Sequence, residues 1–526
     1  GRYGRWGGGG VDFVASAVVA PMRTQPISGE SETVGRLLDL VNDQAWDDAI
    51  ALAADRWQEM LEPDRFDVLV DGLRSMPTEV YIDDVHLALA AGAIFLTWGL
   101  SEEADVRLDA ESVLDDPSAR ATATALRAHA TWWTTRPDRA LGLLDQLEAD
   151  LGANPGLDLV PTPGFEPMTT GRSMLAVSRA RALALCGEIG PARTLLGDLA
   201  GRDETDPVAD SVSAWSTKAW VDAMAGDLSE ARSAVDIAFD LAEPDGWDVT
   251  PALAPARLAM ALINVRSAGP GDGSDLVADA TEVAQRSGAF ALVRLCEATA
   301  AMCGQRDRVD GIDARSGQVF VPVADTVLAA WRARDALRAG DIALAKRHLT
   351  DLRPHELTVG PWTEASLAVR GLESTARVLG DLPAPLTPVG RIGSMLARAA
   401  VVEDGDERRQ QVRSAVEAAR EHDLAGALAE GPAGLAELVL EAVDDLWPDA
   451  RLLSTTATDT AHRPELSARE RQILGLLDGP LTVKEISEGV YLSPHTTKWY
   501  LSRIYRKLGA DSRADAVERA RQLGYG

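Results

Sequence analysis

The sequence is poor in the residues and patterns that mark secreted, membrane-spanning and nucleotide-hydrolysing proteins. It has three cysteines in 526 residues, an odd and sparse number that argues against a disulfide framework and fits a reducing cytoplasm. No run of about 18 apolar residues occurs, so we expect no membrane-spanning helix. The five lysines never follow a glycine, which excludes a P-loop. We expect the cysteines to be buried apolar side chains, namely Cys186, Cys296 and Cys303.

Signatures of catalysis and metal binding are missing as well. The seven histidines show no metal-ligand spacing, and no Cys-x-x-Cys pair or Gly-x-Ser-x-Gly motif occurs. Paired carboxylates such as Glu102 and Glu103 lie in helical segments, where a solvated face explains them. We therefore predict no catalytic residues, no cofactor and no metal ligands, and a protein that is not an enzyme.

Charge is distributed unevenly along the chain. The formal net charge is -29, which by itself would discourage contact with nucleic acid. Residues 465–526 nevertheless hold 10 basic and 8 acidic residues, a charge of +2 against -31 for the first 464. An acidic body therefore carries a mildly basic carboxy-terminal segment, and only that segment is expected to approach DNA closely.

The body, residues 33–447, is rich in alanine and leucine with helical spacing throughout. Most of the thirteen tryptophans, such as Trp132 and Trp133, fall in helical segments and are expected in the core. The best candidate strand is Val319–Val323, and Pro322 weakens it. The predicted fold class is all-α.

A short repeat, Gly-x4-Ala, divides the body into pairs of helices. Its spacing is 39 residues from Gly187 to Gly226 and 114, three times 38, from Gly226 to Gly340. Glycine ends one helix in the left-handed conformation, a following Asp or Ser caps the next helix, and alanine allows close packing. The period predicts a solenoid of helical hairpins that resembles a divergent tetratricopeptide-like array. The copies begin at Gly99, Gly187, Gly226 and Gly340, with a degenerate copy at Thr135.

The two ends of the body differ in composition from it. Residues 1–32 begin with a glycine-rich run, are predicted to be a disordered leader, and only loosely imitate a signal peptide. Met22 is an alternative native start, since residues 1–21 could be foreign to the protein. Residues 448–464 contain several threonines and no apolar period, which predicts a flexible linker.

Four helix starts follow within residues 465–526. Capping boxes at Ser467–Glu470 and Thr482–Glu485, the pair Ser493-Pro494, and a box-like start at Ser512 predict helices over about 468–478, 483–489, 494–508 and 513–523. The short connection at 489–492 between the second and third helices is typical of a helix-turn-helix.

The third of these helices has two unlike faces. An apolar stripe recurs at helical spacing and should pack inward; it comprises Thr497, Leu501, Ile504 and Leu508. The opposite face is polar and basic, as base edges and phosphates require. With the start of the second helix added, the candidate DNA-binding residues are Thr482, Lys484, His495, Thr496, Lys498, Trp499, Ser502, Arg503 and Arg506.

This segment resembles the LuxR-type helix-turn-helix domain. The resemblance is carried by Leu466–Glu470, Val483–Ile486, Leu492-Ser493, Thr496 with Lys498, Ile504–Gly509 and Ser512–Ala516. It implies that the third helix reads the major groove, commonly through the positions of Lys498, Trp499 and Ser502. Three positions depart from the family pattern: Ser487 replaces a small alanine, Thr497 replaces a valine and Tyr500 replaces a histidine.

The body in turn is similar to the region that follows the ATPase domain in large MalT-like regulators. The residues that carry this likeness are Trp46–Ala49, Leu73–Pro77 and the Gly99 turn. The absence of a P-loop means that the resemblance implies a sensor array and a DNA-binding module without the nucleotide switch.

Together these features predict a bacterial, cytoplasmic, sequence-specific transcription regulator that makes no membrane contact. The partner is double-stranded DNA, bound as a dimer on two half-sites, and the resemblance favours activation over repression. The body would bind a protein, a peptide or a small inducer. Two alternatives stay open: an interaction scaffold with a vestigial DNA-binding tail, or a fragment of a larger ATP-switched activator.

Overall fold

The computed structural model is helical wherever it describes the chain. The described residues are 32–46, 48–49, 51–52, 71–97, 100–134, 136–154, 156–160, 171–197, 212–242, 252–268, 273–286, 289–304, 319–448, 450, 468–477, 479, 481–490, 497–498, 500–501, 504–505, 510 and 512–522. They contain no strand, in agreement with the predicted all-α class. Within these ranges, none of the helices is long and apolar enough to cross a lipid bilayer. Nearly all of the leader prediction and of the linker prediction lie outside the described residues; the last leader residue, Glu32, begins α1.

The body is a succession of helices along the chain, and those with both ends established are the following. In the first part they are α1 Glu32–Asn42, α2 Thr78–Asp83, α3 Val85–Thr97, α4 Ser101–Leu108, α5 Glu111–Asp115, α6 Pro117–His129 and α7 Arg139–Ala153. In the middle they are α8 Gly171–Cys186, α9 Ile189–Leu196, α10 Val212–Ala225, α11 Leu228–Ala242, α12 Ala254–Ala268, α13 Ser274–Arg286 and α14 Phe290–Met302. Beyond these lie α15 Pro322–Arg338, α16 Ile342–Leu349, α17 Val359–Arg370, α18 Leu372–Gly380, α19 Pro388–Val401, α20 Gly405–Glu421, α21 Ala425–Leu428 and α22 Ala436–Leu446.

The candidate strand at Val319–Val323 is wrong. Pro322 is the first residue of α15, where its missing N–H costs nothing because the first helical amides have no intrahelical partner. The Asp325 carboxylate accepts the amide of Val321 at 2.8 Å, which ties the preceding residues to the first turn of the helix.

The turns between paired helices take the backbone shape that the repeat predicts. Gly187, Gly226 and Gly340 have φ of 96°, 92° and 83°, which side chains other than glycine rarely adopt. The alanine of each copy, at 192, 231 and 345, is fully buried. The helix-ending role of the glycine is thus confirmed in three copies, while Gly99 and Thr135 lie outside the described residues.

The capping role predicted for the residue after the glycine holds in one turn and fails in another. Asp341 accepts the amide of Leu344 at 2.8 Å, as a helix cap does. Asp227 occupies the same place after Gly226, but its carboxylate binds Arg193 of α9 and the Ser229 hydroxyl. The guanidinium of Arg193 competes for this carboxylate because a charged partner outweighs a backbone amide.

The chain folds back so that later helices cover the earlier turns. The Nε2 atom of His355 lies 2.9 Å from the carbonyl oxygen of Gly187. Val389 and Leu424 pack against Gly226 so closely that an added Cβ would lie 2.5 Å from the Val389 side chain. The turn at Gly340 has nothing within 4 Å of the corresponding position. Turns of identical sequence pattern therefore lie in different environments.

Aromatic side chains fill the centre of the body, as the sequence predicts for its tryptophans. Trp132, Trp220, Trp331 and Trp362 are almost completely buried. The rings of Trp132 and Trp220 meet edge to face at 6.0 Å, a favoured aromatic geometry. This pair joins the turn after α6 to α10 across 88 residues of sequence, so the core links hairpins that are not neighbours in the chain.

The cysteines behave largely as predicted. Cys296 and Cys303 are buried, whereas Cys186 is half-buried at the end of α8, and none of the three forms a disulfide. Burial raises the pKa of Cys296 to about 12 and that of Cys186 to about 11. Neither forms a reactive thiolate at neutral pH.

Candidate nucleic-acid interface

The carboxy-terminal module contains three helices whose bounds are described: α23 Ala468–Leu477, α24 Val483–Val490 and α25 Arg513–Gln522. These agree within a residue or so with the predicted first, second and fourth helices. The described residues between 497 and 505 are helical too, where the third helix is predicted. The fold therefore presents the four predicted helical segments in order.

A reciprocal capping box begins α24. The Thr482 hydroxyl accepts the amide of Glu485 at 3.3 Å, and the Glu485 carboxylate accepts the amide of Thr482 at 2.7 Å. The Thr482 amide and the Thr482 hydroxyl, which donates to the same carboxylate at 2.8 Å, hold the pKa of Glu485 below its usual range. The predicted box is confirmed, and it commits the Thr482 side chain to the helix start. Lys484, in the first turn, is exposed.

Arg513 ties the module together, and sequence reasoning missed it. Its guanidinium donates to the carbonyl oxygens of Leu477 at 3.0 Å, Gly479 at 2.8 Å and Leu481 at 2.5 Å. These carbonyls follow the end of α23, where helices leave acceptors without partners. One side chain on α25 thereby fixes the connection between α23 and α24. The bonds span 32 to 36 residues, so no local pattern could have indicated them.

The helix start at Ser512 is confirmed beside this contact. The Ser512 hydroxyl accepts the amide of Asp515 at 3.2 Å, as expected from a cap. An ion pair one turn later joins Arg519 to Asp515 at 2.9 Å. Arg513 therefore projects from the first position of a helix whose start is itself fixed.

The third helical segment turns its apolar stripe inward. Thr497 and Ile504 are completely buried and Leu501 nearly so, while Leu508 lies outside the described residues. Tyr500 is also buried, which the predicted stripe did not include. Lys498, on the flank of the predicted outer face, is exposed.

Two departures from the family pattern are accommodated differently. The Ser487 hydroxyl is buried but donates to the carbonyl oxygen of Val483 at 2.6 Å, within its own helix. The Thr497 hydroxyl is buried, and the structure gives it no hydrogen-bond partner. A buried hydroxyl without a partner costs stability that the usual valine would not cost.

Of the nine candidate DNA-binding residues, the structure describes three. Thr482 caps α24, Lys484 lies in its first turn, and Lys498 lies in the third helical segment. All three side chains are exposed. The others lie outside the described residues, namely His495, Thr496, Trp499, Ser502, Arg503 and Arg506. The same holds for Ser467 of the first capping box and for Ser493-Pro494.

Known proteins match this module. The family profile described as bacterial regulatory proteins, luxR family, matches residues 464–520. The chain is 40% identical over 57 residues to the probable transcriptional regulatory protein NarL of Mycobacterium tuberculosis, covering 11% of this chain and 26% of that protein. It is 41% identical over 58 residues to the DNA-binding transcriptional activator DevR/DosR of the same organism, covering 11% and 27%.

A smaller relative is covered almost throughout. The spore germination protein GerE of Bacillus subtilis is 34% identical over 62 residues, which are 12% of this chain and 84% of that protein. The chain spans about a quarter of the length of the two mycobacterial regulators. No solved structure was found to match it.

Proposed function

The chain belongs to the luxR family of bacterial regulatory proteins, and from this premise we propose that it is a transcription regulator that binds specific sites in double-stranded DNA. The observation that carries the proposal is the amphipathic third helical segment, which buries Thr497, Leu501 and Ile504 and leaves Lys498 exposed. A helix held by its apolar side can offer its polar side to the major groove, which is wide enough for one helix.

The proposed contacts divide into two kinds. Lys498, Trp499 and Ser502 would face base edges, as the family resemblance implies. Lys484 and the arginines at 503 and 506 would bind phosphates, which fix register and orientation without reading sequence. Lys484 is suited to this role because it lies at the start of α24, where free helix amides favour an anion.

One module reads a short half-site, so we propose that the protein acts as a dimer on two half-sites. Activation is the favoured outcome. The body, residues 33–447, would be a tetratricopeptide-like solenoid that receives a signal, joined by the linker 448–464 to the module at 465–526. Its excess of acidic residues repels phosphate, which would lower non-specific binding and leave recognition to the module.

A gel-shift experiment with the full chain tests the proposal. Fragments of the host genome are incubated with the wild type, with the double variant Lys498→Ala/Arg506→Ala, and with Lys346→Ala. Lys346 is an exposed lysine of α16, so its variant controls for loss of positive charge. We expect retardation by the wild type and the control and none by the double variant. No shift with the wild type would instead favour the interaction scaffold with a vestigial tail. A shift that survives in the double variant would show that the protein does not bind DNA through the third helix.

A further inference from the structure

A groove of about 620 Å³ lies on the body between α9, α10 and the start of α11. Its size is that of pockets for small molecules. Gly190, Pro191 and Thr194 of α9 form one wall, and Leu386, just before α19, forms part of the lip. The groove thus brings together two parts of the chain that are almost 200 residues apart in sequence.

The floor of this groove carries a closed network of charges. The buried Lys218 donates to the carboxylate of Asp222 at 2.5 Å and lies 3.4 Å from that of Glu230. Arg193 binds the other oxygen of Asp222 at 3.2 Å and also binds Asp227. Burial raises the pKa of the Asp222 carboxyl, against the opposing pull of Lys218 and Arg193. Two cations are thus shared among three carboxylates.

The network is one positive charge short, and its most exposed member is the carboxylate of Glu230. The Glu230 side chain is 55% exposed, against 35% for Arg193 and 24% for Asp227. Lys218 and Asp222 are only 6% and 2% exposed. A ligand in the groove therefore meets Glu230 first, with the Arg193 guanidinium beside it and Lys218 buried below. Opposite charge at such a site is favourable because the floor is partly shielded from water.

At the lip of the groove, Leu386 offers an apolar side chain whose backbone is held by hydrogen bonds. Leu386 is 68% exposed, which is unusual for a large apolar side chain in the body. Its amide donates to the Glu356 carboxylate at 3.0 Å, and the Thr387 hydroxyl donates to the same oxygen at 3.0 Å. The leucine is therefore held over the groove without being buried by the protein.

We propose that this groove binds a small aliphatic cation, an amine or a guanidine, whose charge contacts the Glu230 carboxylate and whose hydrocarbon chain contacts Leu386. The inference rests on the proposed function, because this ligand would be the signal that the body receives. Binding would bridge α9–α11 to the segment before α19, where the body already folds back on itself. A ligand that bridges these two parts would favour the closed arrangement over any looser one.

Isothermal titration of the full chain with agmatine, at physiological salt, tests the site. Glu230→Gln removes the exposed carboxylate and keeps its size; Leu386→Ala removes the apolar lip. Glu373→Gln, on the exposed face of α18, is the control for general attraction by an acidic surface. We expect binding by the wild type and Glu373→Gln, a loss of affinity of about tenfold or more in Glu230→Gln, and a loss of about threefold in Leu386→Ala.

Three results would overturn the inference: no heat of binding with the wild type, equal weakening in Glu373→Gln and Glu230→Gln, or binding of succinate in place of agmatine. The gel shift with the same preparations separates the two proposals. If Glu230→Gln still retards DNA while agmatine fails to bind the wild type, the ligand site is wrong and the regulator stands. If agmatine binds but no preparation retards DNA, the DNA-binding function is wrong and the site stands.

Discussion

The end of α10 in the body and the end of α23 in the module are held by the same device in two different environments. At α10, Arg266 of α12 donates to the carbonyl oxygens of Ala223 and Met224. At α23, Arg513 of α25 donates to three carbonyls around the following turn. In both cases a long cationic side chain from a later helix satisfies acceptors that a helix end leaves free.

The difference lies in the water around each arginine. Arg266 is fully buried, and its Nε and Nη2 atoms have no hydrogen-bond partner in the structure. Burial lowers its pKa, and the nearest carboxylate oxygen, of Glu430, is 3.8 Å away. Arg513 is only half-buried and uses all three of its nitrogens. Holding the end of α10 therefore carries a high desolvation cost for Arg266, whereas the desolvation cost for Arg513 at the end of α23 is low.

The largest effect is expected at the buried end. Arg266→Met should lower the free energy of unfolding by about 3 to 5 kcal/mol, because it leaves helix-end carbonyls without their donor and removes a cation that lies 3.8 Å from the buried Glu430 carboxylate. Urea denaturation of the full chain measures this. Arg377→Met is the control, since its arginine is largely exposed. Equal stability of the two variants would show that the buried contact does not hold α10.

Two glycine turns of the body allow a covered environment to be compared with an open one: the Gly226 turn after α10 is covered, and the Gly340 turn is not. Gly226→Ala and Gly340→Ala both place a side chain at positive φ, which costs about 1 to 2 kcal/mol. Gly226→Ala also drives a Cβ to 2.5 Å from Val389, whereas Gly340→Ala meets nothing within 4 Å. The first should be less stable than the second by about 2 kcal/mol, the order of an overpacked core. Equal melting temperatures would mean that the Gly226 turn is not covered in solution.

At the end of α23, which the half-buried Arg513 holds, the loss of stability should be smaller and confined to the module. Arg513→Met should destabilise the module by about 2 kcal/mol, the order expected for lost hydrogen bonds from a charged donor. Hydrogen exchange followed by mass spectrometry should show faster exchange in α23 and α24 and unchanged exchange in the body. Arg519→Met, which loses one exposed ion pair, is the control. Faster exchange throughout the chain would contradict a local role.

The smallest effect is expected in the core of the module and has the opposite sign. Thr497→Val should raise the stability of the module by about 1 kcal/mol, because it removes a buried hydroxyl that has no partner. Ser487→Ala is the matched control, since the serine hydroxyl is already bonded within its helix. Destabilisation by Thr497→Val would show that the threonine hydroxyl is satisfied in solution.

Local signals were enough to predict the helix starts at Thr482 and Ser512, three glycine turns, and the buried residues of the stripe that the structure describes. The Thr482–Glu485 box and the left-handed glycines involve residues within a few positions of one another. The missed features all join distant parts of the chain: Arg513 to α23, Arg266 to α10 and Arg193 to Asp227. A single sequence indicates which face of a helix is buried, but it does not indicate which later helix packs against that face. The groove was missed for the same reason, since Leu386 meets α9 only through the fold.

Selection of bound fragments from the host genome, with the full chain as bait, tests the central claim most directly. The account predicts that enriched fragments share a short sequence in two copies about one helical turn, or a multiple of it, apart. It also predicts that the enrichment disappears with Lys498→Ala/Arg506→Ala and persists with Lys346→Ala. Enrichment without any shared sequence, or the same fragments recovered by the double variant, would contradict it.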